Sequence, residues 1–261
     1  MGYECRFLND STEVQYGRQR LQACVDQIIA DGGKVLEFAN LLRDAVEPTN
    51  FQSRNEQLFV ISFTTQRDDL NSWRHYGDDG YGVCFGFRVA DLVKTYRKNN
   101  EFGVDLRAVH YREEEQLDLV RLHIEKMISI ADASDPFAST FLAMFLMNTA
   151  PTFKPLAFQS ESEWRLVVGN FVTERIPECA RPLRFRARGR SVLPYVEVDI
   201  SPNANLQPDH PFDRIKAELL PVAGVIVGSK MSRRDQVALR LALDAFGHKA
   251  VQLEKSVLPM A

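Results

Sequence analysis

The sequence lacks any long run of apolar residues. A membrane-spanning helix needs roughly 20 such residues in succession, and the longest apolar stretch, 137–147, is interrupted by Ser139 and Thr140. The start of the sequence also lacks the basic, apolar and small-residue segments of a secretory signal peptide. These absences predict a cytoplasmic protein that has no membrane partner.

Cysteine is scarce, and no charge of one sign dominates. The four cysteines (Cys5, Cys24, Cys84 and Cys179) are far apart and form no Cys-x-x-Cys pair, so neither a disulfide framework nor a zinc site is expected. With 32 Lys and Arg against 35 Asp and Glu, the net charge is −3, which argues against whole-surface binding to nucleic acid. We expect no metal cofactor.

Several common catalytic motifs are absent: a Walker A loop, a Rossmann glycine fingerprint, a nucleophile elbow and His-Glu-x-x-His. Apolar periodicity predicts helices and strands that do not alternate regularly. This order predicts an α+β fold, with a mixed or antiparallel sheet flanked by helices, in one domain over 1–261. The predicted helices cover about 14–31, 34–46, 70–76, 89–96, 113–133, 137–148 and 231–246, and the predicted strands cover 58–63, 81–87, 106–111, 163–168, 183–188, 195–200, 224–227 and 250–253.

The segment from Glu161 to Arg165 offers two carboxylates two positions apart. In a strand this spacing places Glu161 and Glu163 on the same face, where one could stabilise a developing oxocarbenium ion while the other positions an acceptor. The simpler interpretation, which we favour from sequence, is a solvated strand end whose acids pair with Arg165 or Lys154.

Hydroxyl and aromatic side chains form two further candidates. Ser62 and Thr64 end a predicted strand and could bind a ribose or an amide, although such residues also simply terminate strands. Trp73 and Tyr76 share a face of a predicted short helix. Either ring could stack on a base or nicotinamide, but packing against the sheet is the favoured interpretation.

A run of alternating arginines occupies another predicted strand. Arg184, Arg186 and Arg188 would share one face, with Phe185 and Ala187 on the other. Arginine side chains bind phosphate well, so a nucleic-acid contact is conceivable. The favoured interpretation is an arginine-lined outer face of an edge strand.

Taken in order, several segments resemble a bacterial family known as domain of unknown function 2971 (DUF2971). The resemblance covers nearly the whole chain and rests on the segments 7–13, Ser62-Phe63, Trp73-x-x-Tyr76, 82–87, Glu161-x-Glu163-Trp164-Arg165, Ile226-Val227-Gly228 and 256–259. That family in turn resembles the ADP-ribosyltransferase superfamily, in which two small sheets clamp NAD. The resemblance implies a nucleotide such as NAD as substrate, and a macromolecular acceptor that it does not identify.

The same resemblance implies roles for individual residues. Glu163 would be the catalytic acid and Glu161 would orient the acceptor, while Ser62 and Thr64 would be the hydroxyls of the second strand. Trp73, Tyr76 and Arg165 would line the nucleotide site. Family members carry a further strand with a His-Tyr or similar pair before the Asn-Asp-x-x-Glu motif, and since Asn9 follows so soon after Met1, we expect that strand to be missing.

Three functions therefore compete at this point. The first is an NAD-dependent ADP-ribosyltransferase or NAD glycohydrolase acting in stress or phage defence. The second is a non-catalytic module that binds a nucleotide or a protein. The third, a nuclease that uses Glu161 and Glu163 with Mg²⁺, is weaker because no third acidic ligand appears at suitable spacing.

Overall fold

A computed structural model describes residues 2–4, 12–33, 35–46, 56–98, 104–130, 136–171, 182–188, 191–198 and 221–259. The described helices are α1 (Thr12–Asp31), α2 (Leu36–Val46), α3 (Leu70–His75), α4 (Val89–Lys98), α5 (Glu113–Ile128), α6 (Pro136–Thr149) and α7 (Arg233–Ala245). The described strands are β1 (Gly2–Glu4), β2 (Glu56–Thr64), β3 (Val83–Phe87), β4 (Val104–Ala108), β5 (Glu163–Phe171), β6 (Arg184–Arg188), β7 (Ser191–Val196), β8 (Val222–Val227) and β9 (Leu253–Lys255). The predicted α+β class is confirmed.

The chain divides into two compact units, each of which combines two separate segments. The first unit comprises Met1–Thr64 and Phe102–Val198, and the second comprises Thr65–Glu101 and Asp199–Ala261. The first contains a six-stranded sheet in the order β4-β5-β2-β1-β7-β6, and the second contains a three-stranded sheet in the order β3-β8-β9. The predicted mixed or antiparallel strand pairing is confirmed, since β8 and β9 are parallel and the other paired strands are antiparallel.

Helices α1, α2, α5 and α6 form the main apolar core of the first unit. On α1, Leu21, Val25 and Ile28 recur at helical spacing and are fully buried. Helix α1 ends where Gly32 adopts a φ of 71°, a conformation that glycine adopts without steric cost. The sequence predicted both the helix and its end.

The start of α1 also covers one face of the six-stranded sheet. Val14 from the helix packs with Leu58, Val60 and Val167 from β2 and β5 in a second buried cluster. Strands β2 and β5 are antiparallel and pair over nine positions, from Glu56↔Phe171 to Thr64↔Glu163. This long ladder fixes which side chains share the face below α1.

A short strand precedes Asn9, while the absence of the family's own first strand stays a prediction. Strand β1 has three residues and lies inside the sheet, where Tyr3 pairs with Val60 of β2 and with Tyr195 of β7. Three extended residues span only about 10 Å, so a very short segment is enough to bridge two longer strands. Its pairing depends on strands that are distant in sequence, which local patterns do not reveal. The segment Phe7–Ser11 of the family motif lies outside the described residues.

The hairpin of β6 and β7 corrects one expectation. Strand β6 is an edge strand, as predicted. However, the register pairs Arg186 with Leu193, which is buried, whereas Phe185 and Val192 are more than 60% exposed on the other face. Apolar side chains therefore reach solvent on this other face, while Arg184 on the arginine face is itself 55% exposed and pairs with Glu197. The side chain of Arg188 lies outside the described residues.

Two predicted strands are displaced along the chain. Strand β7 begins before Pro194 rather than after it, because the antiparallel pairing of Ser191 with Arg188 places the proline within the hairpin. Strand β9 begins at Leu253 because its parallel pairing with Val225 of β8 selects that segment.

In the part of the chain that the structure describes, no helix is both long and apolar enough to cross a membrane.

Candidate functional site

Four of the candidate residues share one face of the six-stranded sheet in the first unit. The β2–β5 register places Ser62 opposite Arg165 and Thr64 opposite Glu163. Directly opposed residues of an antiparallel pair point to the same face, and residues two apart along a strand do so too. The ladder therefore gathers two hydroxyls, a carboxylate and a guanidinium at one end of the sheet, beside the start of α1.

The Glu163 carboxylate is the most enclosed of these groups, because the residue is only 7% exposed. Its oxygens accept hydrogen bonds from Arg165 (Nε to Oε1, 2.8 Å; Nη2 to Oε2, 3.0 Å) and from Nζ of Lys154 (3.2 Å). The Ser62 hydroxyl also bonds to this carboxylate. Burial alone would raise the pKa of Glu163, but Arg165 and Lys154, together with Ser62, outweigh it and hold the pKa below its usual range.

The Arg165 guanidinium forms hydrogen bonds with several other groups of the protein. Besides its two bonds to Glu163, Nη2 donates to Oε2 of Glu13 at 2.6 Å and Nη1 donates to the carbonyl oxygen of Pro151 at 2.5 Å. The residue is 3% exposed. Both carboxylates raise the pKa of Arg165 against the opposing effect of burial. A role of this guanidinium in holding a cofactor stays a prediction.

Lys154 lies at the centre of three carboxylates. Its Nζ is 3.0 Å from Oε1 of Glu13 and 3.2 Å from Oε2 of Glu163, and it also bonds to Oε2 of Glu161. Burial would lower the pKa of this ammonium, but Glu163, Glu161 and Glu13 raise it above its usual range. The predicted pairing of the two acids with Lys154 and Arg165 is confirmed, although Glu163 is buried rather than solvated.

Glu161 does not reach the site by strand alternation, as the sequence suggested. It ends a 3₁₀ turn over Leu156–Glu161, and Ser162 then adopts a left-handed φ of 46° before β5 begins at Glu163. The two acids nevertheless meet, because both bind Lys154. The Glu161 side chain is 34% exposed, compared with 8% for that of Glu163, so Glu161 is the carboxylate that solvent can reach.

Thr64 holds the backbone at this point, since its hydroxyl donates to the carbonyl oxygen of Glu161 at 2.8 Å. Ser62 and Thr64 are both exposed. The structure therefore brings together five of the predicted residues: Ser62, Thr64, Glu161, Glu163 and Arg165. Two ionic partners from outside the two strands complete the cluster: Lys154, and Glu13 of α1.

Trp73 and Tyr76 belong to the second unit. Trp73 is 4% exposed and its indole Nε1 donates to Oδ1 of Asp68 at 2.5 Å, so the prediction that it packs is confirmed. Tyr76 is 69% exposed, and the prediction that it packs was wrong. Helix α3 ends at His75, and Tyr76 is its C-cap, where the helical spacing no longer applies. A stacking role for either ring is untested.

Two members of the site escaped sequence analysis. Glu13 was noted only as part of the family segment 7–13. Tyr111 was assigned only to a strand, yet its hydroxyl accepts the backbone N–H of Glu163 at 2.8 Å. Glu13 supplies the third carboxylate that the nuclease hypothesis lacked, but the three acids enclose an ammonium group. Among the residues that the structure describes, no cluster of His, Cys, Asp or Glu is arranged to hold a metal ion.

Comparison with known proteins identifies one family. The model described as "Protein of unknown function (DUF2971)" matches residues 72–166, a segment that runs from α3 to the middle of β5 and includes Glu161, Glu163 and Arg165. This match confirms the resemblance to that family. No curated protein and no solved structure matches the chain.

Proposed function

We propose that this chain, a member of the DUF2971 family, cleaves the bond between nicotinamide and ribose in NAD and transfers ADP-ribose to water or to an acceptor macromolecule. One observation carries the proposal: the Ser62 hydroxyl bonds to the Glu163 carboxylate on the adjacent strand, beside the exposed carboxylate of Glu161. This is the combination of second-strand hydroxyl and paired acids that the resemblance to ADP-ribosyltransferases implies. A setting in bacterial stress or phage defence rests on that resemblance alone.

The electrostatics of the site suit the nicotinamide end of NAD. Three carboxylates surround two cations, and the group that solvent reaches, Glu161, is an acid. When the glycosidic bond breaks, its electron pair passes to the positively charged nicotinamide ring, and positive charge develops on the ribose. A fixed carboxylate beside that ribose stabilises the charge. Water or an acceptor nucleophile then bonds to the anomeric carbon and loses a proton.

In this proposal the two acids exchange the roles that the resemblance implies. The Glu163 carboxylate already accepts hydrogen bonds from Arg165, Lys154 and Ser62, so its role is to hold these side chains in place. Glu161 is assigned here as the carboxylate that meets the ribose, since a third of its side chain is exposed. The exposed residues Ser62 and Thr64 place their hydroxyls at the same end of the sheet.

The test is nicotinamide release from NAD by the purified chain, followed by chromatography. We expect Glu161→Gln to lower the rate by about 100-fold or more, as the loss of a group that stabilises a transition state typically does. Glu113→Gln is the matched control, because this exposed acid also pairs with a cation, Arg20, away from the site. Wild-type protein that neither releases nicotinamide nor gains thermal stability with NAD would contradict the proposal.

A second candidate, a non-catalytic module for a nucleotide or protein, is favoured by the enclosure of Glu163. A carboxylate that accepts bonds from two buried cations and a hydroxyl has little capacity left for a substrate. For such a module we expect NAD to raise the melting temperature without any turnover. That effect would persist in Glu161→Gln, whereas the catalytic proposal requires turnover that depends on Glu161.

A further inference from the structure

Among the residues that the structure describes, Lys154 is the most buried charged residue. It is 2% exposed, compared with 3% for Arg165 and 7% for Glu163. A lysine ammonium has three N–H donors and no acceptor. Here it meets three carboxylates, those of Glu13, Glu161 and Glu163. Each donor therefore has one acid, and none remains for a substrate.

The backbone of Lys154 is held as firmly as its side chain. Its N–H donates to the carbonyl oxygen of His110 at 3.1 Å, and its own carbonyl accepts from Nε2 of Gln116 at 3.3 Å. Gln116 is fully buried and is itself bound by Nε of Arg20 at 3.0 Å. The ammonium therefore projects from a fixed platform, and the groups that bind it must adapt to its position.

The 3₁₀ turn over Leu156–Glu161 is the part of the site with the fewest other constraints. None of its residues is buried. Lys154 contacts this turn twice, through the Glu161 carboxylate and through the Phe158 ring, whose centroid is 4.9 Å from Nζ. Thr64 adds one bond to the Glu161 carbonyl, but that bond does not restrain the carboxylate.

We infer that Lys154 is a positioning residue: its ammonium fixes the Leu156–Glu161 turn and points the Glu161 carboxylate towards the end of β2 that carries Ser62 and Thr64. The inference rests on the proposed function for the statement that Glu161 meets the substrate. Lys154 acts through Glu161 and touches no substrate, because its donors are used within the protein. Neither the family match nor the resemblance assigns it a role.

The experiment compares Lys154→Met, which fills the space without the charge, with Lys154→Arg, which keeps the charge. Hydrogen exchange at the amides of Phe158 and Ser162, which bond to Pro155 and Gln159 within the turn, reports the turn without any substrate. We expect both amides to exchange faster in Lys154→Met than in the wild type. In Lys154→Arg they should exchange more slowly than in Lys154→Met. Arg121→Met is the matched control, since Arg121 is a cation of the same unit that binds Asp31 instead of an acid of the site.

Nicotinamide release gives the second readout. A misplaced carboxylate lowers kcat, so we expect kcat to fall by about 10- to 100-fold in Lys154→Met while KM changes little, with partial recovery in Lys154→Arg. Because Lys154→Met leaves three acids facing one cation, Arg165, the double variant Glu13→Gln with Lys154→Met is measured beside it. That variant removes one charge of each sign and so keeps the net charge of the cluster.

The outcomes separate the two ideas. Unchanged exchange at Phe158 and Ser162 in Lys154→Met and in the double variant overturns the inference, whatever the activity. Faster exchange with an unchanged kcat overturns it as well, since the position of Glu161 would then not matter to the reaction. Wild-type protein without turnover overturns the proposed function instead, and exchange still decides whether Lys154 fixes the turn.

Discussion

The side chains of Glu163 and Arg165 meet through two parallel hydrogen bonds on one face of β5, from Nε to Oε1 at 2.8 Å and from Nη2 to Oε2 at 3.0 Å. Residues two apart on a strand point to the same side, so the sequence itself places the two groups together. The bidentate geometry is the strongest form of an arginine–carboxylate contact. Since both side chains are buried, each charge offsets part of the cost of burying the other.

The first prediction concerns the pH dependence of stability. The pKa of Glu163 is lowered in the folded state, so the unfolded chain binds more protons in the acidic range. The contribution of Glu163 to the free energy of unfolding is therefore fully present above the unfolded value of about 4.3 and is lost as the pH falls through the lower folded value. Urea unfolding between pH 7 and pH 3 measures this loss.

Glu163→Gln should remove that part of the pH dependence and lower stability at pH 7 by about 3 kcal/mol or more, because Lys154 and Arg165 lose a buried partner. Glu254→Gln changes an exposed acid that pairs with Arg67 and should leave the pH dependence almost unchanged. An identical acid-induced loss in wild type and Glu163→Gln would contradict the prediction.

The second prediction concerns Asp68 in the second unit. Its carboxylate accepts bonds from the Trp73 indole (2.5 Å), the Ser256 hydroxyl (2.8 Å) and the backbone N–H of Val257 (3.2 Å). Asp68→Ala leaves the donors of two buried residues, Trp73 and Ser256, without this acceptor, so we expect a loss of about 2 to 4 kcal/mol. The free energy of unfolding and protease sensitivity after residue 255 provide the measurement.

Glu254→Ala is the control for Asp68→Ala, because it removes an exposed ion pair in the same unit and should cost less than about 1 kcal/mol. Equal losses in the two variants would show that Asp68 does not anchor the segment that contains Ser256 and Val257.

The third prediction compares alanine substitutions at two glycines, Gly224 within β8 and Gly228 directly after it. A Cβ atom at Gly228 would lie closer than 3.0 Å to the carbonyl oxygen of Gly80, whereas one at Gly224 would meet nothing within 4 Å. Gly228→Ala should therefore lower stability by about 1 to 3 kcal/mol through overpacking. Gly224→Ala should leave it unchanged or slightly raised. Equal melting temperatures of the two variants would refute this account of the close approach.

The fourth prediction concerns thiol reactivity. Burial raises the pKa of Cys24 to about 11, and Arg20 offsets this only in part. Burial also raises the pKa of Cys84, which is half-buried. Because the thiolate is the reactive species, iodoacetamide at pH 8 should label Cys24 in the native protein more slowly than Cys84. Peptide mass spectrometry resolves the two sites, and labelling in urea should remove the difference.

Elements held together by local pattern were the easiest to predict. Helix α1 repeats its apolar residues with helical spacing and ends at glycines with positive φ, both of which the sequence shows. The cap of α3 is also a local contact, since Asp69 accepts a bond from the backbone N–H of Ser72, three residues on, at 2.7 Å. The prediction that Tyr76 packs against the sheet failed because the helix ends one residue before it.

Strand β1 and the position of Glu161 could not be predicted in this way. Three residues carry no periodic signal, and β1 exists because β2 and β7 hold it on both sides. Glu161 meets Glu163 through Lys154 after a turn that contains a left-handed serine, a conformation that strand alternation excludes. In both cases the deciding contact comes from another element.

The sequence by itself determined the α+β class, most helices, the long strands and the family, because these depend on spacing within short segments. Only the tertiary structure decided the composition of the site. Glu13 reaches Arg165 across 152 positions of sequence, and Lys154 collects three acids from separate elements. Buried charges must find opposite partners wherever the fold places them, and no local pattern records that choice.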